Sequence, residues 1–152
     1  MIVYLSFLFS CASTTELTIQ DGSYYIISIN ETVAEETDLL SERNIPEELF
    51  SFSFDISTAN KTLTSITDTG EETVSNLKLR SKENWRESCP KGVSLMVLQT
   101  FDVDDSPLSL SGLEITSPIL YADGCQGDEG AIGEVMLSGD DDSQRLRLWI
   151  ED

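Results

Sequence analysis

Over residues 49–57 the chain alternates with a period of two. Phe50, Phe52, Phe54 and Ile56 are separated by Ser51, Ser53 and Asp55. In an extended chain successive side chains point to opposite faces, so this run sets four large apolar groups on one side and polar groups on the other. A helix would scatter the same phenylalanines around its circumference. The stretch therefore calls for a sheet with one face in a core and the other in water.

The same pattern recurs along the chain. Residues 23–30 are rich in aromatic and β-branched side chains and read as a strand, with Tyr25, Ile27 and Ile29 on one face and Tyr24 and Ile26 on the other. Residues 62–67 and 72–80 form returning strands after turn signals at Ala59-Asn60-Lys61 and Asp68-Thr69-Gly70-Glu71, with Leu77 and Leu79 facing inward. Residues 81–91 read as a polar connection. Residues 92–103 are apolar on both faces, as in a covered central strand. Residues 108–116 alternate but slip in phase at Ser111-Gly112, which predicts a bulge. Pro118 places residues 119–121 at an edge or a bend. Residues 131–137 and 144–151 are the last strands. In the latter, Leu146, Leu148 and Ile150 face inward and Arg145, Arg147 and Trp149 face outward.

One segment breaks the pattern. Seven of the eighteen residues in 31–48 are acidic, and Thr32 with Glu35 forms a capping-box pattern. A short helix or an ordered loop is expected there, ending near Pro46 and lying over one end of the fold. The total is eight or nine strands in one antiparallel β-barrel or β-sandwich, because short connections cannot join parallel neighbours.

A chain of 152 residues is one domain by length and can bury roughly two-thirds of its unfolded surface. Its net charge of −19 opposes binding to nucleic acid and to anionic lipid headgroups. Histidine is absent, which removes Ser-His-Asp and Cys-His catalysis and the commonest metal ligand. No serine sits in a Gly-x-Ser-x-Gly elbow and no glycine loop is built to cradle phosphate. The expectation is a non-enzyme without a cofactor.

The first residues carry an address. From Ile2 to Phe9 the chain is apolar except for Ser6, and small residues follow. Leu8-Phe9-Ser10-Cys11 resembles the lipobox of bacterial lipoproteins, although Phe9 departs from the usual pattern at its position. The resemblance implies a signal segment over residues 1–10, a lipidated Cys11, an anchor and tether over 11–21, and a single β domain over 22–152. It implies export to the cell envelope, and Ala12 after the cysteine points to the outer membrane. With Cys11 lipidated, Cys89 and Cys125 remain to form a disulfide bond, which an exported protein can hold. No later apolar run reaches the ~18 residues of a membrane span. Contact with the membrane is expected through the lipid anchor alone.

At Gly22-Ser23-Tyr24 the chain resembles the opening of lipocalin-like barrels, with Tyr24 where their tryptophan stands. The resemblance implies a cation–π partner from Arg145 or Arg147 and an apolar pocket lined by Phe52, Phe54, Val97 and Leu148. Filling of an ordinary core is the favoured account of those four side chains.

Other groupings compete for function. Asp102, Asp104 and Asp105 are weak calcium candidates, as are Asp140 to Asp142 and the set Asp123, Asp128 and Glu129, but turn chemistry explains such clusters too. Five of the nine basic residues fall at Lys78, Arg80, Lys82, Arg86 and Lys91, around Trp85. Trp85 and Arg86 are the candidate centre of a partner-binding surface; local compensation of the acidic surface, with Trp85 packed over the Cys89–Cys125 bridge, is the competing and favoured account. Asn30-Glu31-Thr32 and Asn60-Lys61-Thr62 match the N-glycosylation acceptor pattern. Two functions follow: a lipocalin-like carrier of an apolar small molecule, or a closed-core envelope protein acting through contacts with another protein.

Overall fold

The computed structural model describes residues 14–17, 19–89, 92–104, 107–122, 134–139 and 144–151. Side chains are described for all of these except 14–17, 81–98 and 134. The strands are β1 (Thr14–Leu17), β2 (Gly22–Ile29), β3 (Ser53–Ser57), β4 (Thr62–Ile66), β5 (Glu72–Cys89), β6 (Gly92–Val103), β7 (Leu108–Leu110), β8 (Leu113–Ile115), β9 (Ile119–Ala122), β10 (Glu134–Ser138) and β11 (Arg145–Ile150). One helix, α1 (Thr37–Glu42), and a 3-10 turn at Glu47–Ser51 lie between β2 and β3.

The strand order β6-β5-β4-β3-β2-β11-β10-β9 closes through a β6–β9 pairing, and every neighbour in this ring is antiparallel. The architecture is an eight-stranded barrel, which leaves no open edge around the ring. Strand β1 lies outside it and pairs with β6 in parallel, from Thr14 opposite Leu95 to Leu17 opposite Leu98. Part of the expected tether is thus a strand of the sheet.

The inward residues form one hydrophobic cluster. Tyr24, Phe54, Leu63, Leu120, Leu137 and Leu148 are all fully buried in it. On β11 the alternation holds as expected, with Leu146 and Leu148 inside. On β2 it does not hold throughout. Tyr24 and Ile26 face in, then the register against β11 shifts between Arg147 and Leu148, and Ile29 faces in as well. A bulge of one residue swaps the faces of everything that follows it.

Strands alternate in direction around the barrel, so the β2–β3 and β6–β9 connections leave from the same end. Both are elaborated. Leu40 of α1, with Ile45 and Leu49, joins the core from the first, and Leu108, Leu110, Leu113 and Ile115 join it from the second. The helix is shorter than the charge pattern suggests and is not capped by Thr32. Glu36 is its N-cap, with no side-chain cap bond. Thr32 is buried and its hydroxyl accepts a hydrogen bond from Arg43 at 2.9 Å, so it is unavailable to a helix N-terminus. The helix stops at Glu42, and the backbone is extended at Pro46 before the 3-10 turn.

Four further expectations change. The slip at Ser111-Gly112 is a hairpin turn rather than a bulge: both residues have positive φ, 43° and 90°, as a type I′ turn requires. Residues 119–122 are not at an edge but pair with β6 on one side and β10 on the other. Pro118 stands just ahead of the strand, where its missing N–H costs the ladder nothing, and its carbonyl accepts from Val103. Residues 81–89 are not a connection, because β5 continues unbroken to Cys89. Leu79 is 46% exposed instead of inward, beside a register shift between Leu79 and Ser81.

At the end where the chain enters β2, Asp21 ties the N-terminal approach to the β3–β4 turn. Its carboxylate accepts the Thr58 N–H and hydroxyl, both at 2.7 Å, and the Ala59 N–H at 3.5 Å. Partial burial raises this carboxyl, but those bonds outweigh it and hold it below its usual value. The neighbouring Tyr24 hydroxyl donates to the Gln20 carbonyl at 2.6 Å. Burial, aided by the Asp21 charge, pushes the Tyr24 phenol up to about 12. No helix among the described residues is long and apolar enough to cross a membrane.

Candidate binding surface

Two places bring together the residues singled out above: the barrel interior and the long β5–β6 pair. In the interior, Phe52, Phe54 and Leu148 are buried members of the core cluster. Val97 lies on β6 opposite Asn84, and its side chain is outside those described. The interior is not wholly apolar, since Ser65 and Ser75 are also buried, with the Ser65 hydroxyl 3.5 Å from the Thr73 carbonyl.

The cation–π arrangement implied for Tyr24 is not formed. Tyr24 lies opposite Phe54 on one side and Ile150 on the other. Arg147 is on the outer face of β11. Arg145 sits five positions from Ile150, near the other end of the strand, where its backbone N–H donates to Asn30 and its guanidinium lies 4.0 Å from Glu31. Strand alternation therefore separates both arginines from the buried ring.

Strands β5 and β6 run on past the pairs that close the barrel. Strand β4 pairs with β5 only from Glu72 to Asn76, and β9 pairs with β6 only from Thr100 to Asp102. The two long strands stay paired from Ser81 opposite Thr100 to Cys89 opposite Gly92. At about 3.4 Å per residue the extension is about 27 Å long. It contains Lys82, Trp85 and Arg86, so part of the cationic stretch of the sequence lies beyond the pairs that close the barrel. Trp85 pairs with Met96 and Arg86 with Leu95. At the base of the extension Lys78 lies opposite Asp102, and Arg80 is 3.8 Å from Asp102, both about half exposed. A pair so exposed adds little stability.

The aspartate clusters gain no support. Asp102 faces the basic side chains of β5, and the Asp104 N–H donates to the Asn76 carbonyl. Among the described residues no group of three potential metal ligands comes together. Asp105, Asp123, Asp128, Glu129 and Asp140 to Asp142 lie outside the described residues, as do Cys11 and Cys125. Of Cys89 only the backbone is described.

The two acceptor triplets are not equivalent. Asn30 is at positive φ in the tight turn after β2. Its amide donates to Gln144 at 2.7 Å, its side-chain oxygen accepts from Arg145 at 2.8 Å, and Thr32 is buried. Asn60 is exposed in the β3–β4 turn.

A feature the sequence reading missed lies on the outer wall. Tyr25 and Trp149 are 39% and 40% exposed and stand opposite one another on β2 and β11. Trp149 is outward by its own strand's alternation, but the outward face of Tyr25 and the pairing of the two come from the register.

Comparison with protein-family models, with curated proteins and with solved structures finds no match.

Proposed function

We propose that the chain is an exported, lipid-anchored binding protein without catalytic activity. In this reading a lipocalin-like barrel serves as a rigid body and contacts are made by the surface. The observation that carries the surface reading is the core itself. Phe54 and Leu148, two of the four side chains a carrier would use to line its pocket, are fully buried in the continuous cluster that holds the barrel together. An eight-stranded barrel can be filled by side chains or hold one small ligand, so the burial of these side chains, not the strand number, supports the closed core. The absence of histidine supports a non-catalytic role. The apolar run before Cys11 supports the anchor and placement in the cell envelope, and a Cys89–Cys125 bridge suits that compartment.

Titration with a fluorescent apolar probe tests the surface reading. The closed core predicts no saturable uptake by the folded chain. One-site binding displaced by a fatty acid would restore the carrier. The anchor is tested separately. Mass spectrometry of the chain expressed with its native start should find lipid on Cys11, and Cys11→Ala should move the protein from the membrane to the soluble fraction.

A further inference from the structure

We propose that the outer wall at β2 and β11 docks a basic, arginine-containing segment of a partner protein, with Tyr25 and Trp149 as the platform for its cations. The proposal rests on the reading that contacts are made by the surface, and it names the chemistry of the partner. Tyr25 and Trp149 are among the large apolar side chains left exposed, and they stand opposite one another on neighbouring antiparallel strands. Side chains so placed have Cβ atoms about 5 Å apart, so the two rings lie side by side. Their neighbours in the chain hold them outward. Tyr25 lies between the buried Tyr24 and Ile26, and Trp149 lies between the buried Leu148 and Ile150, which packs against the core.

Charge selects what covers this platform. Asp55 lies opposite Ser23, whose hydroxyl donates to its carboxylate at 2.6 Å. On the other side of Ser23, the Glu151 N–H donates to the Ser23 carbonyl at 2.8 Å. Both acids are exposed. They flank a position two residues from Tyr25 along β2, a rise of about 7 Å. A cation resting on the rings is then within about one screening length of two carboxylates at physiological salt. Arg147 bounds the platform on the opposite side, two residues from Trp149, and is engaged in an interaction of its own.

An aromatic face attracts an arginine or lysine head through its quadrupole, and exposed tryptophan and tyrosine are the side chains that most often anchor an interface. Guanidinium also stacks flat on a ring, which favours arginine. The other occupants fit less well. A second copy carries the same net charge of −19 and is repelled, as is any anionic partner. An aliphatic surface would cover the rings but gain nothing from the acids. Two adjacent rings beside two carboxylates complement a basic segment.

The test titrates a labelled peptide of alternating arginine and glycine with the folded chain at 0.1 M salt, read by fluorescence polarisation. Trp149→Leu keeps an apolar side chain and the net charge but loses the ring, so it should weaken binding at least tenfold. Tyr25→Phe keeps a ring and should bind within about twofold of the native chain. Asp55→Asn with Glu151→Gln should weaken binding about fivefold. Val74→Ala, at an exposed apolar side chain elsewhere on the wall, should change nothing. Far-ultraviolet circular dichroism confirms that each variant is folded. The proposal is overturned if Trp149→Leu binds as well as the native chain, since net charge alone then holds the peptide. It is also overturned if a leucine–glycine peptide binds as tightly, or if a neutral oligosaccharide binds the wall more tightly than either. Failure of the surface reading looks different: the apolar probe is then taken up saturably, whatever the peptides do.

Discussion

The barrel and the β5–β6 extension are built from the same two strands but held by different forces. In the barrel, each strand has a neighbour on both sides and an inner face in the common core. Leu77 and Val103, paired where β5 and β6 belong to the barrel wall, are both buried there. Past that point Leu79 is 46% exposed, although a strict alternation would have kept it inside. Hydrogen bonding continues along the extension, while the closed wall that makes burial possible does not. A ladder can outrun its core, and what it carries then is free for contact rather than stability.

The largest expected effect lies in the barrel. Phe54→Ala should cost about 3–5 kcal/mol in chemical denaturation, since it empties a fully buried site. The matching change in the extension, Trp85→Ala, should alter stability by no more than about 0.5 kcal/mol. Similar losses at both sites would erase the distinction and return Trp85 to a packing role.

A covalent link would blur the contrast at one point. Cys89 is the last residue of β5, and if it is bonded to Cys125 its replacement by alanine should cost roughly 2–5 kcal/mol. Rapid alkylation of Cys89 in the folded, unreduced protein would exclude the bridge and leave the tip held by the β5–β6 ladder alone.

Within the barrel, titration should be felt first at Tyr24. The Tyr24 phenol is raised to about 12 from an ordinary value of 10, so folding favours its neutral form. Its contribution is complete below pH 10 and is lost as pH rises from about 10 through 12. The shift corresponds to about 2–3 kcal/mol. Tyr24→Phe should flatten that alkaline decline, at a cost of about 1 kcal/mol at neutral pH for the bond to Gln20. An alkaline midpoint unchanged in the variant would place the sensitivity elsewhere.

The smallest effect is expected at Asp21. Its lowered pKa makes it a stabilising group above the usual carboxylate range, with the benefit lost as pH falls through its folded value. Asp21→Asn should therefore reduce the melting temperature slightly at pH 7 and not at all near pH 2. A larger loss in acid than at neutrality would contradict the hydrogen-bond account.

Wherever one face of a strand meets the core, the fold is legible in the residues. Phe52, Phe54 and Ile56 alternate as the core demands, and Leu146 and Leu148 do the same. Misreadings cluster where position depends on a partner strand. Ser111-Gly112 looks like a bulge until its two positive φ angles make it a turn. Residues 81–89 look like a polar loop because they lack the apolar alternation of a half-buried strand, yet β6 pairs with them throughout. Of the candidate surface, Trp85 and Arg86 and their basic neighbours could be read directly. The placement of Trp85 and Arg86 beyond the closing pairs of the barrel could not.

What the chain's own letters determine here is local and pairwise: the period of two, the turn residues, the charge balance, the missing histidine and the apolar run before Cys11. These follow from side-chain chemistry and need no partner. Closure of the ring by β6 and β9, the parallel docking of β1 and the opposition of Tyr25 and Trp149 belong to the tertiary structure. Each depends on register between strands far apart in the chain. Register is chosen by the sum of all the faces that must be buried together, a quantity no single stretch contains.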